Sequence, residues 1–157
     1  RPEAFSISEM IEDLIDLYAP LGVETGVTIL PIKATMYNDF SDRVIMDRTL
    51  IRQALGNLVQ NPIHYGPPNS NIQIELLVNR ESTIQIAVQD EGLGVPAEYQ
   101  DRVFERFFRA DPSRTTPAGN LGLGLSISQA IARLHKGDLW LSNSAKGARF
   151  CLELHNI

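Results

Sequence analysis

Two runs decide the fold: Asn71-Ile72-Gln73-Ile74-Glu75-Leu76-Leu77-Val78 and, after a short polar break, Thr83-Ile84-Gln85-Ile86-Ala87-Val88-Gln89. Ile72, Ile74, Leu76 and Val78 recur at every second position, and so do Ile84, Ile86 and Val88. A period of two puts each set on one face of an extended strand. Asn79 to Ser82 reads as the turn of a hairpin, so the two runs pair antiparallel. An apolar sheet face needs cover, and the flanking segments offer it at helical spacing. Met10, Ile11, Leu14, Ile15, Tyr18 and Leu21 form one stripe, opened by Ser6 and Glu9 as a capping box. Pro20 interrupts that pattern, and Gly22 or Gly26 ends it.

A second stripe, Leu50, Ile51, Ala54, Leu55, Leu58 and Val59, follows Asp47 as its cap. Pro62 removes a backbone N–H and crowds the carbonyl four residues back, so this helix either kinks there or ends early. Val27–Ile32 and Val44–Met46 read as strands, and a short helix is expected around Tyr99–Phe107. A third helix spans about Leu121 to His135 and stops at Gly137. Leu139–Asn143 and Ala148–Leu154 close the chain as a hairpin around Lys146 and Gly147. The expected architecture is α+β: a two-layer sandwich whose mixed, mostly antiparallel sheet is covered on one face by about three helices.

The chain has 157 residues, a length that fits one domain spanning 1–157. With 43% apolar and 21% charged residues it holds enough material for a core. The single cysteine, Cys151, excludes a disulfide framework and any multi-cysteine metal site. The net charge is −5 and the basic residues are scattered, which argues against a nucleic-acid footprint. No apolar run approaches the roughly 18 residues of a membrane span, and Arg1 to Ser8 lacks the apolar stretch of a signal peptide. These limits describe a soluble domain from a reducing compartment.

Four features carry possible chemistry, and each also has a plain structural reading. Gln53, Asn57, Asn61 and His64 follow one another at helical spacing on an amide-rich face. Such a face is either a polar rim or a source of an amide oxygen for a hard cation such as Mg²⁺. Asp90-Glu91-Gly92-Leu93-Gly94 stands at a strand's end, as a plain turn or as a ligand pocket with close backbone approach. Gly119-Asn120-Leu121-Gly122-Leu123-Gly124-Leu125 opens a helix, where free N–H groups and the helix dipole suit phosphate. Neither the dinucleotide fingerprint nor a Gly-Lys-Ser/Thr loop is present. Phe104, Phe107 and Phe108 precede a long polar loop that bears Arg109 and Arg114, and they read as core or as the hinge of an arginine-bearing lid.

Order and spacing are more specific than any one feature. Asn57-x-x-x-Asn61, Asp90-x-Gly92-x-Gly94, the phenylalanine-rich segment and Gly122-Leu123-Gly124-Leu125 resemble, in turn, the N, G1, F and G2 boxes of sensor histidine kinases. The resemblance covers nearly the whole chain. It implies the ATP-binding catalytic domain of such a kinase, within the superfamily shared with gyrase, MutL-type repair proteins and heat-shock chaperone ATPases.

By that resemblance Asn61 holds Mg²⁺ and Asn57 supports it one turn earlier. Asp90 accepts from the adenine amino group, Gly92 and Gly94 shape that pocket, and Tyr65 lies beside the ring. His64 stands where the family often has a basic residue reaching phosphate. Gly119, Gly122, Leu123 and Gly124 border the phosphates, and Arg109 and Arg114 serve catalysis from the Arg109–Ala118 lid. The ATPase branches carry a glutamate where this chain has Asn57, which cannot take a proton from water, so phosphoryl transfer is favoured over hydrolysis. Neither His64, His135 nor His155 looks like the family's phosphoacceptor. The chain is therefore expected to be a transferase fragment, inactive without its acceptor domain. Its implied partners are a cognate histidine-containing dimerisation domain and a response regulator receiver domain. The resemblance also implies a homodimeric parent in the inner or plasma membrane, with this part cytoplasmic. Two rival readings are a degenerate module that keeps the fold without catalysis and an anti-sigma-type serine kinase.

Overall fold

The computed structural model describes residues 1–37, 41–79, 83–106, 108, 123–144 and 147–156, without the side chains of Tyr65, Asn143 and Ser144. Its elements run β1 (Pro2–Ser6), α1 (Ile7–Thr25), β2 (Val27–Ile29), β3 (Lys33–Met36), β4 (Arg43–Asp47), α2 (Arg48–Tyr65), β5 (Ser70–Val78), β6 (Thr83–Gln89), α3 (Gly124–Leu134), β7 (Asp138–Ser144) and β8 (Gly147–His155).

The alternating runs behave as their period requires. β5 and β6 pair antiparallel, with Ile74 opposite Val88 and Leu76 opposite Ile86. Ile72, Ile74, Leu76, Val78, Ile84, Ile86 and Val88 are all buried. β6 continues into β8 and β8 into β7, both antiparallel, which adds Phe150, Leu152, Leu154 and Leu139 to the same inner face. The six-stranded sheet follows the order β2-β5-β6-β8-β7. β2 and β3 both run parallel to β5 and lie in tandem along its outer edge, against Ser70–Ile72 and Glu75–Val78. The expected strand Val27–Ile32 is therefore shortened to Val27–Ile29, and a further strand beyond it, Lys33–Met36, was not expected. Leu30 still donates to Ile72, and pairing resumes at Lys33 with the register moved by one residue, from Ile29 opposite Ile72 to Lys33 opposite Glu75.

Among the described residues, three helices cover the inner face, and their apolar stripes meet the sheet in one core. Burying such a stripe removes apolar surface from water, at roughly 1.5–3 kcal/mol for each large side chain. Ile7, Met10, Ile11 and Leu14 of α1, Ile51, Leu55, Leu58 and Ile63 of α2, and Ile131 and Ala132 of α3 are buried. Ser6 caps α1 by accepting the Glu9 N–H at 3.2 Å. Asp42 reinforces that start, since its carboxylate accepts from both hydroxyls, Ser6 and Ser8, and from the Ser8 N–H. Burial alone would raise the Asp42 carboxyl, but those hydrogen bonds outweigh it and hold the group below the usual carboxylate range. α1 runs through Pro20 and ends at Gly26, whose N–H returns to Gly22 and Val23.

Asp47 caps α2 as expected, accepting from Leu50 N–H at 3.1 Å. The helix does not end at Pro62. It carries on to Tyr65, with Pro62 buried and its carbonyl accepting the Gly66 N–H at 2.7 Å.

Two further features differ from the reading of the sequence. A strand at Pro2–Ser6 pairs antiparallel with β4 to make a separate two-stranded sheet. The outward amides of β4 are taken by side chains: Arg43 N–H by Ser41, Ile45 N–H by Asn156 and Asp47 N–H by His135. These contacts blunt the edge against further strands. The short helix expected around Tyr99–Phe107 is reduced to a 3₁₀ turn at Ala97–Tyr99 followed by irregular turns. There Phe104 packs edge-to-face with Phe150 of β8, while Phe108 tilts against Tyr99 within the same segment.

Candidate functional site

The site is framed by the second half of α2, the loop after β6, the start of β8 and the start of α3. Asp90 follows the last residue of β6, where antiparallel pairing brings it to the head of β8. Its backbone N–H donates to the Ala148 carbonyl at 3.0 Å. Its side-chain Oδ1 accepts two backbone N–H groups, from Gly92 at 2.9 Å and from Ala148 at 3.0 Å. Both are hydrogen bonds to an ionised group, worth more than neutral ones. The carboxylate is thereby fixed through Oδ1, and among the described residues no hydrogen bond to Oδ2 is seen.

Gly147 makes this clamp possible. A Cβ there would lie 2.4 Å from the Asp90 carbonyl oxygen and 2.6 Å from Oδ1, and φ of +147° is a conformation that side-chain-bearing residues avoid. Gly94, at φ +74°, turns its own missing Cβ toward the Gly147 backbone at 3.6 Å. Glu91 ties the loop down by accepting the Asn71 N–H at 2.6 Å. Gly92 comes within reach of Pro67, which follows the end of α2 and so joins the two walls.

On the other wall, the half-buried Asn57 donates from Nδ2 to the Gly124 carbonyl at 3.3 Å, linking α2 to the first turn of α3. Asn61 and His64 lie one and two turns further along α2, both half-buried. The exposed Gln53 keeps company with Asn57: both line a groove of about 250 Å³ between α1 and α2, with Tyr18, Arg52, Gly56 and Gln60. Burial pushes the His64 imidazole below the ordinary histidine range. Leu123 precedes α3 and carries no capping side chain, and Ser126 Oγ turns back to the Leu123 carbonyl at 2.9 Å. Among the described residues no side chain caps the first N–H groups of α3, and such an end favours an anion.

Asn57 and Gly124 are thus brought together, as are Asp90, Gly92 and Gly94. Arg109, Arg114, Gly119 and Gly122 lie outside the described residues, as does the side chain of Tyr65. Gly147 and Ala148, which hold Asp90 in place, are the positions of this frame that the sequence did not single out. Their only local signal is a Lys-Gly turn before Ala-Arg-Phe, and strand pairing alone reveals what they hold.

Among the described residues, no three His, Cys, Asp or Glu side chains are grouped to hold a metal ion. A hard cation would instead meet the amide oxygen of Asn61, a donor suited to Mg²⁺, which takes few protein ligands and fills its sphere with water and phosphate oxygens.

Comparison with known proteins places the chain in a family. Residues 46–156 match the family of histidine kinase-, DNA gyrase B- and HSP90-like ATPases. The sensor-like histidine kinase SenX3 of Mycobacterium tuberculosis is 45% identical over 114 residues, covering 71% of this chain and 27% of that protein. The sensor histidine kinase WalK of Bacillus subtilis is 38% identical over 98 residues, 62% of this chain and 16% of its own. The chain thus spans about a quarter or less of the length of these relatives. Among solved structures, the catalytic domain of histidine kinase ThkA superposes with a TM-score of 0.79 at 28% identity, covering 99% of this chain and 96% of that one. A second ThkA structure, in complex with the response regulator protein TrrA, superposes with a TM-score of 0.76 at 26% identity, over 99% of this chain and 42% of that one. The chain belongs to the histidine kinase-, DNA gyrase B- and HSP90-like ATPase family, as an ATP-binding catalytic domain of the sensor histidine kinase type.

Proposed function

We propose that this domain binds ATP with Mg²⁺ between α2 and α3 and delivers the γ-phosphate to a histidine on a separate helical dimerisation domain of its parent kinase. A response regulator is the onward acceptor, and the parent is a membrane-anchored homodimer whose cytoplasmic part includes this chain. Among the described residues no helix is long and apolar enough to cross a membrane, so an anchor would belong to another segment. Asp90 would take the adenine amino group on Oδ2, with Gly92 and Gly94 admitting the ring and Tyr65 beside it. His64 and the start of α3, with Leu123, Gly124, Gly119 and Gly122, would border the phosphates. Arg109 and Arg114 of the Arg109–Ala118 segment would contribute charge. Asn61 would hold Mg²⁺, which when bound neutralises phosphate charge.

The observation that carries the transferase reading is Asn57. An activating base for water would have to accept a proton. Asn57 is an amide whose Nδ2 is already committed as a donor to Gly124. Water attack therefore lacks a base at position 57, and catalysis rests on positioning a second acceptor in line.

Calorimetric titration of the chain and of Asn61→Ala with ATP, with and without Mg²⁺, tests the site. Wild type should gain affinity on adding Mg²⁺, and the variant should lose that gain while still binding ATP weakly. Equal Mg²⁺ dependence in both proteins rejects the metal assignment. No ATP binding by wild type favours a degenerate module. Adding the parent's helical domain should give acid-labile phosphate, whereas acid-stable phosphate on the target would indicate a serine kinase.

A further inference from the structure

α3 lies antiparallel to the first half of α2, and hydrogen bonds from side chain to backbone cross between them. Asn57 of α2 reaches the Gly124 carbonyl, and Ser128 of α3 reaches the Ala54 carbonyl at 3.0 Å. At the far end the Asp47 N–H, just before α2, donates to His135 Nε2 at 3.4 Å. Between these contacts lie Ile51 and Ile131, both buried. Ser128 and Ala54 are both fully buried, at 0% exposure. Two small residues face each other here, which lets the helix backbones approach closely.

The choice of partner is informative. A serine inside a helix ordinarily bonds the carbonyl four residues back on its own chain. For Ser128 that carbonyl belongs to Gly124, and it accepts from Asn57 instead. The two helices have exchanged partners: each gives a side-chain donor to the other's backbone. Such an exchange fixes the axial position of α3 against α2, because sliding one helix along the other breaks both bonds together. Carbonyl groups in a helix keep a spare lone pair, so Ala54 accepts the extra bond without losing its own.

We infer that Ser128 is a positioning residue for the phosphate half of the nucleotide site. It touches no ligand. It sets the start of α3 relative to Asn57 and Asn61 by locking the helix four residues downstream of Gly124. The adenine clamp at Asp90 is built on β6 and β8 and does not depend on this lock. Loss of Ser128 should therefore weaken phosphate contacts and spare adenine contacts. This rests on the ATP site proposed above.

Ser128→Ala removes one buried hydrogen bond, and ATP affinity should fall about fivefold to tenfold, the loss expected of one such bond. Adenosine affinity, read by competition, should change less than twofold. Ser128→Cys keeps the volume and a weak donor, and should fall between the two. A purely structural role would lower both affinities in proportion to the unfolded fraction, and that result, or no change in either, overturns the inference. Amide exchange without nucleotide separates this failure from that of the ATP reading. The Ile127 N–H, bonded to Leu123 at 3.0 Å, should exchange about fivefold faster in Ser128→Ala if the lock is real. An unchanged rate overturns the inference. Wild type that binds neither ATP nor adenosine refutes the ATP reading, and the exchange rate still decides the role of Ser128.

Discussion

Asp90→Asn separates recognition of the base from integrity of the loop. Asp90 Oδ1 accepts from Gly92 and Ala148 at 2.9 and 3.0 Å. An asparagine has one amide oxygen to satisfy both donors, and turning its NH₂ toward them would set donor against donor. The oxygen therefore stays on the backbone, and the NH₂ takes the place of Oδ2, facing the ligand. Exchanging two hydrogen bonds to a carboxylate for two neutral ones costs about 1–2 kcal/mol, so the variant folds. Adenine offers an amino group at that point and would now face a donor. Losing the bond and leaving two donors opposed costs about 3 kcal/mol, or roughly a hundredfold in affinity. Hypoxanthine carries a carbonyl there and suits the new NH₂. Titration with ATP and ITP should show wild type preferring ATP and Asp90→Asn preferring ITP, with a thermal midpoint only a few degrees lower. If the variant keeps ATP affinity within threefold, or loses both nucleotides equally while folded, the assignment of Asp90 to the base is refuted.

Two further perturbations probe the same frame. Gly147→Ala forces a Cβ to within 2.4 Å of the Asp90 carbonyl in a backbone conformation that alanine avoids; stability should drop by about 3 kcal/mol in urea unfolding, and adenosine binding should fall with it, unlike in Asn61→Ala. His64 gives a pH dependence: burial lowers its folded pKa, so the unfolded chain takes up the proton first as pH falls. Its contribution to stability is complete above about pH 6.5 and is lost as pH falls through the folded value. Phosphate beside His64 favours the imidazolium, so saturating ATP should shrink that loss, and His64→Gln should flatten the urea midpoints measured between about pH 8 and 5.5. An ATP-independent slope in wild type would remove His64 from the phosphate site.

How much of this was readable in the chain follows from how far each signal reaches. The β5–β6 hairpin, the Ser6 and Asp47 caps and the helix stripes depend on neighbours a few residues away, and the structure realises them. β3 has four exposed residues and no apolar period, so nothing in Lys33–Met36 announces a strand until β5 is beside it. β1 is similar, since its partner β4 lies about forty residues on. Pro62 left two outcomes open because a proline's cost can be met by tertiary packing, and here its burial and the Gly66 bond keep the helix going. The Phe104 and Phe108 spacing suggested a helix because aromatic residues at helical intervals look alike whether they face a neighbouring turn or a sheet. In the site, Asp90, Gly92, Gly94, Asn57 and Asn61 stood out by motif. Gly147, Ala148 and Ser128 did not, because each acts through a partner more than fifty residues away.

The central claim is that nucleotide bridges the Asp90 clamp and the α2–α3 pair, and backbone amide shifts in an NMR titration test it most directly. Adenosine should move the amides of Gly92 and Ala148 alone, and ATP with Mg²⁺ should move these together with Gly124 and Leu125. Saturating Mg²⁺ and ATP that leave all four unmoved, or that shift only the opposite sheet face around Glu75 and Arg149, would contradict it.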